Sequence, residues 1–331
     1  MSACQTLPGR RPSGDPIDLQ DRFDPLPEDA GDVHALGLPD GRRARFIDEG
    51  EPSWRAVVFF GGACTSVGAF SLTEFLRTSR ELLRLRVVSV ERNGFGATPF
   101  DPSLGYAAAV DDVIAVLGAL RIERFAVVAF SGGAPIGAAL AARVPERVIS
   151  LHLAAAAVAR LAGRTGSAAA HFADPAAIAA DPSAMWRFPA ASPVHRIPGF
   201  AAAGAREGVR ALDSGHAPAA IAHEWRLLRS EPPADLRGCA APAYLYWGTG
   251  DDLVPPVHAQ RWQHALVNVA ALRRYEGEGH DVQYRHWDQI LLDAAGHGAR
   301  TLVCADGRAS LVADVEPGAT LGLCAWSSAA P

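Results

Sequence analysis

The chain has 331 residues, 49% hydrophobic and 20% charged, with a formal net charge of −5. That supplies material for one large core or two small ones, and the acidic balance argues against a general nucleic-acid or anionic-membrane partner. All 31 basic residues are arginine, which excludes lysine chemistry: no Schiff base, hence no pyridoxal-phosphate enzyme, and no phosphate-loop lysine.

Residues 1–30 are rich in Pro, Asp and Gly and are expected to form a flexible arm, with no apolar signal core between Met1 and Asp24. Val33 to Asp48 reads as two short strands around Pro39-Asp40-Gly41. Strands are then predicted at 55–60, 86–91, 125–130, 148–154, 243–247 and 271–275. Helices are predicted at 70–83, 106–120, 134–143, 257–268 and 286–295. Short buried strands alternating with amphipathic helices imply an α/β fold with a mostly parallel central sheet, right-handed crossovers and helices on both faces.

Residues 158–235 break that rhythm. They are alanine-rich, show no strand run, and carry prolines at 175, 182, 189, 193 and 198 with aromatics Phe172, Trp186, Phe188, Phe200 and Trp225. An insertion on the side of the catalytic loops is where a helical cap would sit, dividing the core into 31–157 and 236–299. Its aromatics would line a substrate pocket or pack the cap onto the core. Residues 300–331 form an extension: Thr301–Ala305, a tight Asp306-Gly307 turn and Arg308–Val315 read as a β-hairpin, and a second apolar run ends at Trp326. It could cover a sheet edge, pair with the N-terminal segment, or form a homodimer contact.

Cys4, Cys64, Cys239, Cys304 and Cys324 are an odd, scattered set without a Cys-x-x-Cys pair, which suits a reducing compartment. The longest apolar run, Ile149 to Gly163, is interrupted by His152 and Arg160 and is too broken to span a bilayer. A soluble cytoplasmic protein is therefore expected. The eleven histidines show no His-x-x-x-His or Cys/His cluster, so no metal is expected. Gly94-x-Gly96 lacks the third glycine and downstream acid of a dinucleotide fingerprint, so no cofactor is expected either.

The chemistry lies in three blocks. Phe125–Phe130 is an apolar strand ending in Ser131-Gly132-Gly133, followed by a small-residue helix, Ala134 to Arg143. Such a strand–turn–helix with serine at its apex holds the hydroxyl out of the sheet. Tyr244–Gly248 runs into Thr249-Gly250-Asp251, and Arg273–Tyr275 runs into a glycine-rich loop ending at His280. Serine, acid and histidine occur in the chain order of one nucleophile-elbow fold.

Together with Val57–Gly62, Glu91–Gly96 and Ala142–Val148, these blocks resemble the α/β-hydrolase superfamily over roughly residues 33–295. Three positions depart from its pattern: Phe60 where histidine usually precedes the oxyanion glycine, Asn93 where proline is usual, and Ala129 for the first elbow glycine. The resemblance implies Ser131 as nucleophile, His280 as general base and Asp251 as its orienting acid, with the adjacent Asp252 as the rival acid. It implies an oxyanion hole from the backbone N–H groups of Gly62 and Gly132. Cys64 near that loop is read as a packing residue and His286 as part of the next helix. The implied activity is hydrolysis of an ester, thioester or lactone bond of a small apolar substrate. Acyl transfer, lyase or cyclase chemistry with the same triad stays open, as does a non-catalytic ligand-binding role.

Overall fold

The computed structural model describes residues 15–16, 19–29, 31–161 and 174–327. After a two-residue strand β1 (Asp15–Pro16), eight strands build the central sheet: β2 His34–Gly37, β3 Arg43–Glu49, β4 Arg55–Phe60, β5 Leu85–Val90, β6 Phe125–Phe130, β7 Val148–Ala154, β8 Ala243–Gly248 and β9 Val269–Tyr275. Their order is β2-β3-β5-β4-β6-β7-β8-β9. β3 is antiparallel to both neighbours, and every pairing from β5 to β9 is parallel. Strands β4, β6 and β7 have the predicted bounds; β5, β8 and β9 shift by one or two residues.

In β6, Phe125, Val127 and Ala129 join one core with the helices Tyr106–Ala119 and Ala134–Arg143; Ala126, Val128 and Phe130 join a second core with Val67–Leu76 and Trp287–Leu292. The alternation is the pleat itself. Because both faces are covered, the strand reads in sequence as an unbroken apolar run.

Two predicted helices differ. The 70–83 helix is a tight 3-10 stretch, Val67–Leu76, followed by an α-helix, Arg77–Leu82. Ser71 Oγ donates to Gly68 O and Thr73 Oγ1 to Phe70 O, both 2.7 Å, and such i−3 side-chain bonds favour the tighter turn. The 286–295 helix begins earlier, as Val282–Arg285, breaks at His286, and resumes as Trp287–Leu292.

Residues 174–235 carry helices Pro175–Ala180, Phe200–Leu212 and Ala217–Ser230. Ile178, Leu212, Ile221 and Trp225 cluster with Cys64 and Phe95, so this insertion packs on the loops after β4 and β5. Trp186, Phe188 and Phe200 surround Tyr284. These aromatics join the insertion to the core; Phe172 lies outside the described residues.

The N-terminal expectation needs correction. Most of 1–30, with Cys4, lies outside the described residues, but 19–29 is docked. Asp24 accepts from Thr78 N and Oγ1 at 2.8 and 2.9 Å, and Phe23 packs edge-on against Phe75 and Trp326. Aromatic burial and a satisfied carboxylate outweigh the arm's polar composition. At the other end, β10 Thr301–Ala305, β11 Arg308–Val312 and β12 Thr320–Leu321 form a second sheet, order β1-β11-β10-β12. Of the uses open to the extension, pairing with the N-terminal segment is the one observed, Asp15 opposite Leu311. Cys304 and Cys324 form a disulfide within it, so the cysteine pattern no longer argues for a reducing compartment. Among the described residues, no helix is long and apolar enough to cross a membrane.

Candidate active site

The elbow follows from steric necessity. Ser131 has φ +47°, in the left-handed region that side chains rarely adopt. A methyl at Gly133 would overlap the Gly61 carbonyl oxygen, and one at Gly132 would lie 2.7 Å from Ala63 Cβ. Glycine at both positions lets the loop after β4 lie directly against the turn. Pro135 then suits the first helical turn, where its missing N–H costs nothing.

The acid and histidine loops are fastened to each other. Thr249 N donates to Tyr275 O and Gly250 N to Glu278 O, both 2.9 Å, and Gly277 N donates to Thr249 Oγ1 at 2.8 Å. A side chain at Gly248 would overlap the Glu278 carbonyl. Behind them, His286 lies 2.8 Å from a Glu278 carboxylate oxygen and stacks on Tyr275 at 3.4 Å between ring centres. Burial holds the His286 pKa below the usual imidazole value despite that carboxylate. His286 sits at the break between two helices, and its contact with Glu278 was not legible from spacing.

These loops bring the three predicted residues together. His280 Nε2 lies 3.0 Å from Ser131 Oγ, and His280 Nδ1 lies 2.8 Å from Asp251 Oδ2. The other Asp251 oxygen accepts from Leu253 N at 3.0 Å and Val254 N at 2.8 Å. The Asp251 side chain is fully buried and that of His280 is 16% exposed, whereas Asp252 is exposed. With a carboxylate on Nδ1, the neutral imidazole carries its proton there and presents the Nε2 lone pair to the serine.

Gly62 stands beside Ser131: a methyl on it would lie 3.5 Å from Ser131 Cβ. The three departures are each accommodated. Phe60 is buried, and methyl groups at Gly133 and Gly137 would press on its side chain. Asn93 exchanges hydrogen bonds with the Asp101 backbone, 2.7 and 2.9 Å, closing the turn. Ala129 lies opposite Gly137. Cys64 is buried with φ +59°.

Sequence reasoning missed three residues here. Arg92, Glu207 and Glu224 converge on the loop after β4 from three elements; neither a charged residue on an amphipathic helix, as for Glu207 and Glu224, nor an arginine in the turn after β5 carries a local signal of that role. Two clefts, of about 220 Å³ near Tyr106 and Trp262 and about 560 Å³ near Arg45 and His216, are not lined by the three predicted catalytic residues. Among the described residues, no group of three or more His, Cys, Asp or Glu side chains could hold a metal ion.

A family model described as alpha/beta hydrolase fold matches residues 55–286, and the chain belongs to that family. No curated protein sequence matches it. Among solved structures it is similar to a membrane phospholipase A described as a bacterial virulence factor (20% identity, 80% of this chain and 87% of that chain, TM-score 0.61). It is also similar to the enol-lactonase from Burkholderia xenovorans LB400 (18%, 80% and 100%, TM-score 0.59). A third is 2-hydroxy-6-oxo-6-phenylhexa-2,4-dienoate hydrolase from Rhodococcus sp. strain RHA1 (17%, 80% and 98%, TM-score 0.60). At these identities the likeness establishes the fold alone.

Proposed function

We propose that this chain is a serine hydrolase cleaving an ester, thioester or lactone bond of a small, largely apolar substrate through an acyl-enzyme. The observation that carries this reading is the continuous line Asp251–His280–Ser131, with contacts of 2.8 and 3.0 Å. Ser131 Oγ attacks the acyl carbon as its proton passes to His280 Nε2. Negative charge collects on the former carbonyl oxygen, met by the N–H groups of Gly62 and Gly132; one such donor is worth about 3–4 kcal/mol in the transition state. Collapse expels the leaving group with the proton from His280. Water, deprotonated by the same nitrogen, then releases the acid. Asp251 fixes the tautomer and stabilises the imidazolium. The names of two solved relatives, a phospholipase A and an enol-lactonase, are compatible with such bonds.

Intact-mass labelling with a fluorophosphonate, wild type against Ser131→Ala, alongside turnover of p-nitrophenyl esters, tests the reading. A single adduct and turnover, both lost on substitution, are expected. An adduct without turnover would favour transfer, lyase or cyclase chemistry at the same residues. No adduct and no turnover would sink the activated serine and favour a ligand-binding role.

A further inference from the structure

The loop after β4, residues 61–66, has its backbone gripped by side chains from outside it. Cys64 N donates to Glu224 Oε2 at 2.7 Å, and Ser66 N donates to Glu207 Oε1 at 2.8 Å. The Gly62 carbonyl accepts from Arg92 Nη2 and from Thr65 Oγ1, and Arg92 Nη2 also reaches Thr65 O at 3.2 Å. Arg92 Nη1 closes the circuit on Glu224 Oε1 at 2.6 Å. Glu207 and Glu224 lie on helices Phe200–Leu212 and Ala217–Ser230 of the insertion, whereas Arg92 lies just after β5. The Arg92 and Glu224 side chains are each 10% exposed and Glu207 is fully buried.

A buried carboxylate is costly unless donors satisfy it. Here Cys64 N and Arg92 satisfy Glu224, while Ser66 N, Ser66 Oγ and Arg210 satisfy Glu207, and the same loop carries Gly62, where an added methyl would lie 3.5 Å from Ser131 Cβ. The loop also contains Cys64 in the left-handed region, a conformation that persists only when the surroundings enforce it. The carboxylates supply that enforcement.

We propose that Glu224 and Arg92, backed by Glu207, are positioning residues that hold loop 61–66 in its working shape beside Ser131. The inserted helices then complete the site. This rests on the hydrolase reading, with Gly62 as an oxyanion donor. A displaced donor weakens the tetrahedral state far more than the bound ester, because the charge develops only there.

The test is Glu224→Gln in the full chain. A glutamine keeps one acceptor for two donors and turns an N–H toward the other. With p-nitrophenyl butyrate, kcat is expected to fall about 10- to 100-fold while KM moves less than about threefold. Phenylboronic acid provides a second readout. Its boron takes the Ser131 Oγ lone pair, His280 takes the hydroxyl proton, and the tetrahedral boronate needs the same donors. Its affinity is expected to fall in parallel with kcat, which a loss of general stability would not produce. Arg92→Lys, which cannot keep the forked contacts, should show the same pattern and serves if Glu224→Gln fails to fold. An active wild type whose variants keep kcat and boronate affinity, or raise KM alone, would overturn the positioning role. A wild type with neither ester turnover nor boronate binding would overturn the hydrolase reading and this inference together.

Discussion

Ala129 and Gly137 share one space. A methyl on Gly137 would lie 2.9 Å from Ala129 Cβ, with Val127 Cγ1 at 3.2 Å and Phe60 Cδ2 at 3.4 Å. The alanine that replaces the first elbow glycine is thus matched by a glycine about one turn into the helix Ala134–Arg143.

Gly137→Ala should therefore destabilise the fold by about 1–3 kcal/mol through overpacking, although alanine is the better helix former by about 1 kcal/mol. Adding Ala129→Gly should return at least half of the loss. Denaturant unfolding of both single variants and the double variant measures the coupling; strictly additive effects would show that the two positions do not compete.

Asp251→Asn should lower kcat about 10³- to 10⁴-fold. The two peptide N–H groups at 253 and 254 would hold the amide oxygen, turning the amide N–H toward His280 Nδ1. The histidine would then carry its proton on Nε2 and lose the lone pair facing Ser131. Asp252→Asn should leave kcat within about twofold, since its side chain faces solvent. Ester turnover of the two variants decides the acid; equal losses would remove the assignment.

The meeting of Ser131, Asp251 and His280 was legible because strand, turn and glycine signals sit next to each of them in sequence, and parallel strands bring their C-terminal ends to one edge. The central strands were legible because burial on both faces leaves continuous apolar runs. What escaped depends on distant partners. Nothing local marks Glu224, on an amphipathic helix 160 residues from Cys64, as its acceptor. Nor does local sequence show that Asp24 would dock on Thr78 or that Cys304 would find Cys324. The 70–83 stretch reads as one helix, and side-chain bonds tighten its first part into the 3-10 stretch Val67–Leu76.

The disulfide closes a short loop, with Cys304 and Cys324 separated by 20 residues. In the chain-entropy account such a crosslink is worth about 3 kcal/mol. Asp288, which accepts from Leu323 N at 2.8 Å and Trp326 Nε1 at 3.1 Å, ties the same segment to the helix Trp287–Leu292. Cys304→Ser with Cys324→Ser should lower the unfolding free energy by about that amount, and a thiol reductant should lower the wild-type Tm but leave the double variant unmoved. Equal Tm shifts in both proteins would show that the crosslink does not act on stability.

Acid stability should depend on His258 and His152. Both are buried, and burial pushes the His258 pKa down to about 4 and that of His152 to about 3. His258 Nδ1 accepts from Val158 N at 2.9 Å, and the Asp251 charge opposes the depression without overcoming it. Above the ordinary histidine value near 6.5 both folded and unfolded states are neutral, and neither group contributes a pH dependence. Below it the unfolded chain takes up protons that the folded chain refuses, so stability falls with pH, for His258 until about pH 4. Glu207 and Asp293, whose pKa values burial raises, act in the opposite sense, so the histidine contribution must be read as a difference. The unfolding free energy of wild type minus that of His258→Gln should shrink by up to about 1.4 kcal/mol per pH unit below 6.5, because glutamine keeps an acceptor for Val158 N but has no proton to gain. Denaturant unfolding of both proteins at pH 7.5, 6 and 5 reads this difference while the carboxylate terms cancel. A difference that stays constant across that range would mean His258 titrates alike in both states, and that its buried place beside the acid loop does not hold it neutral.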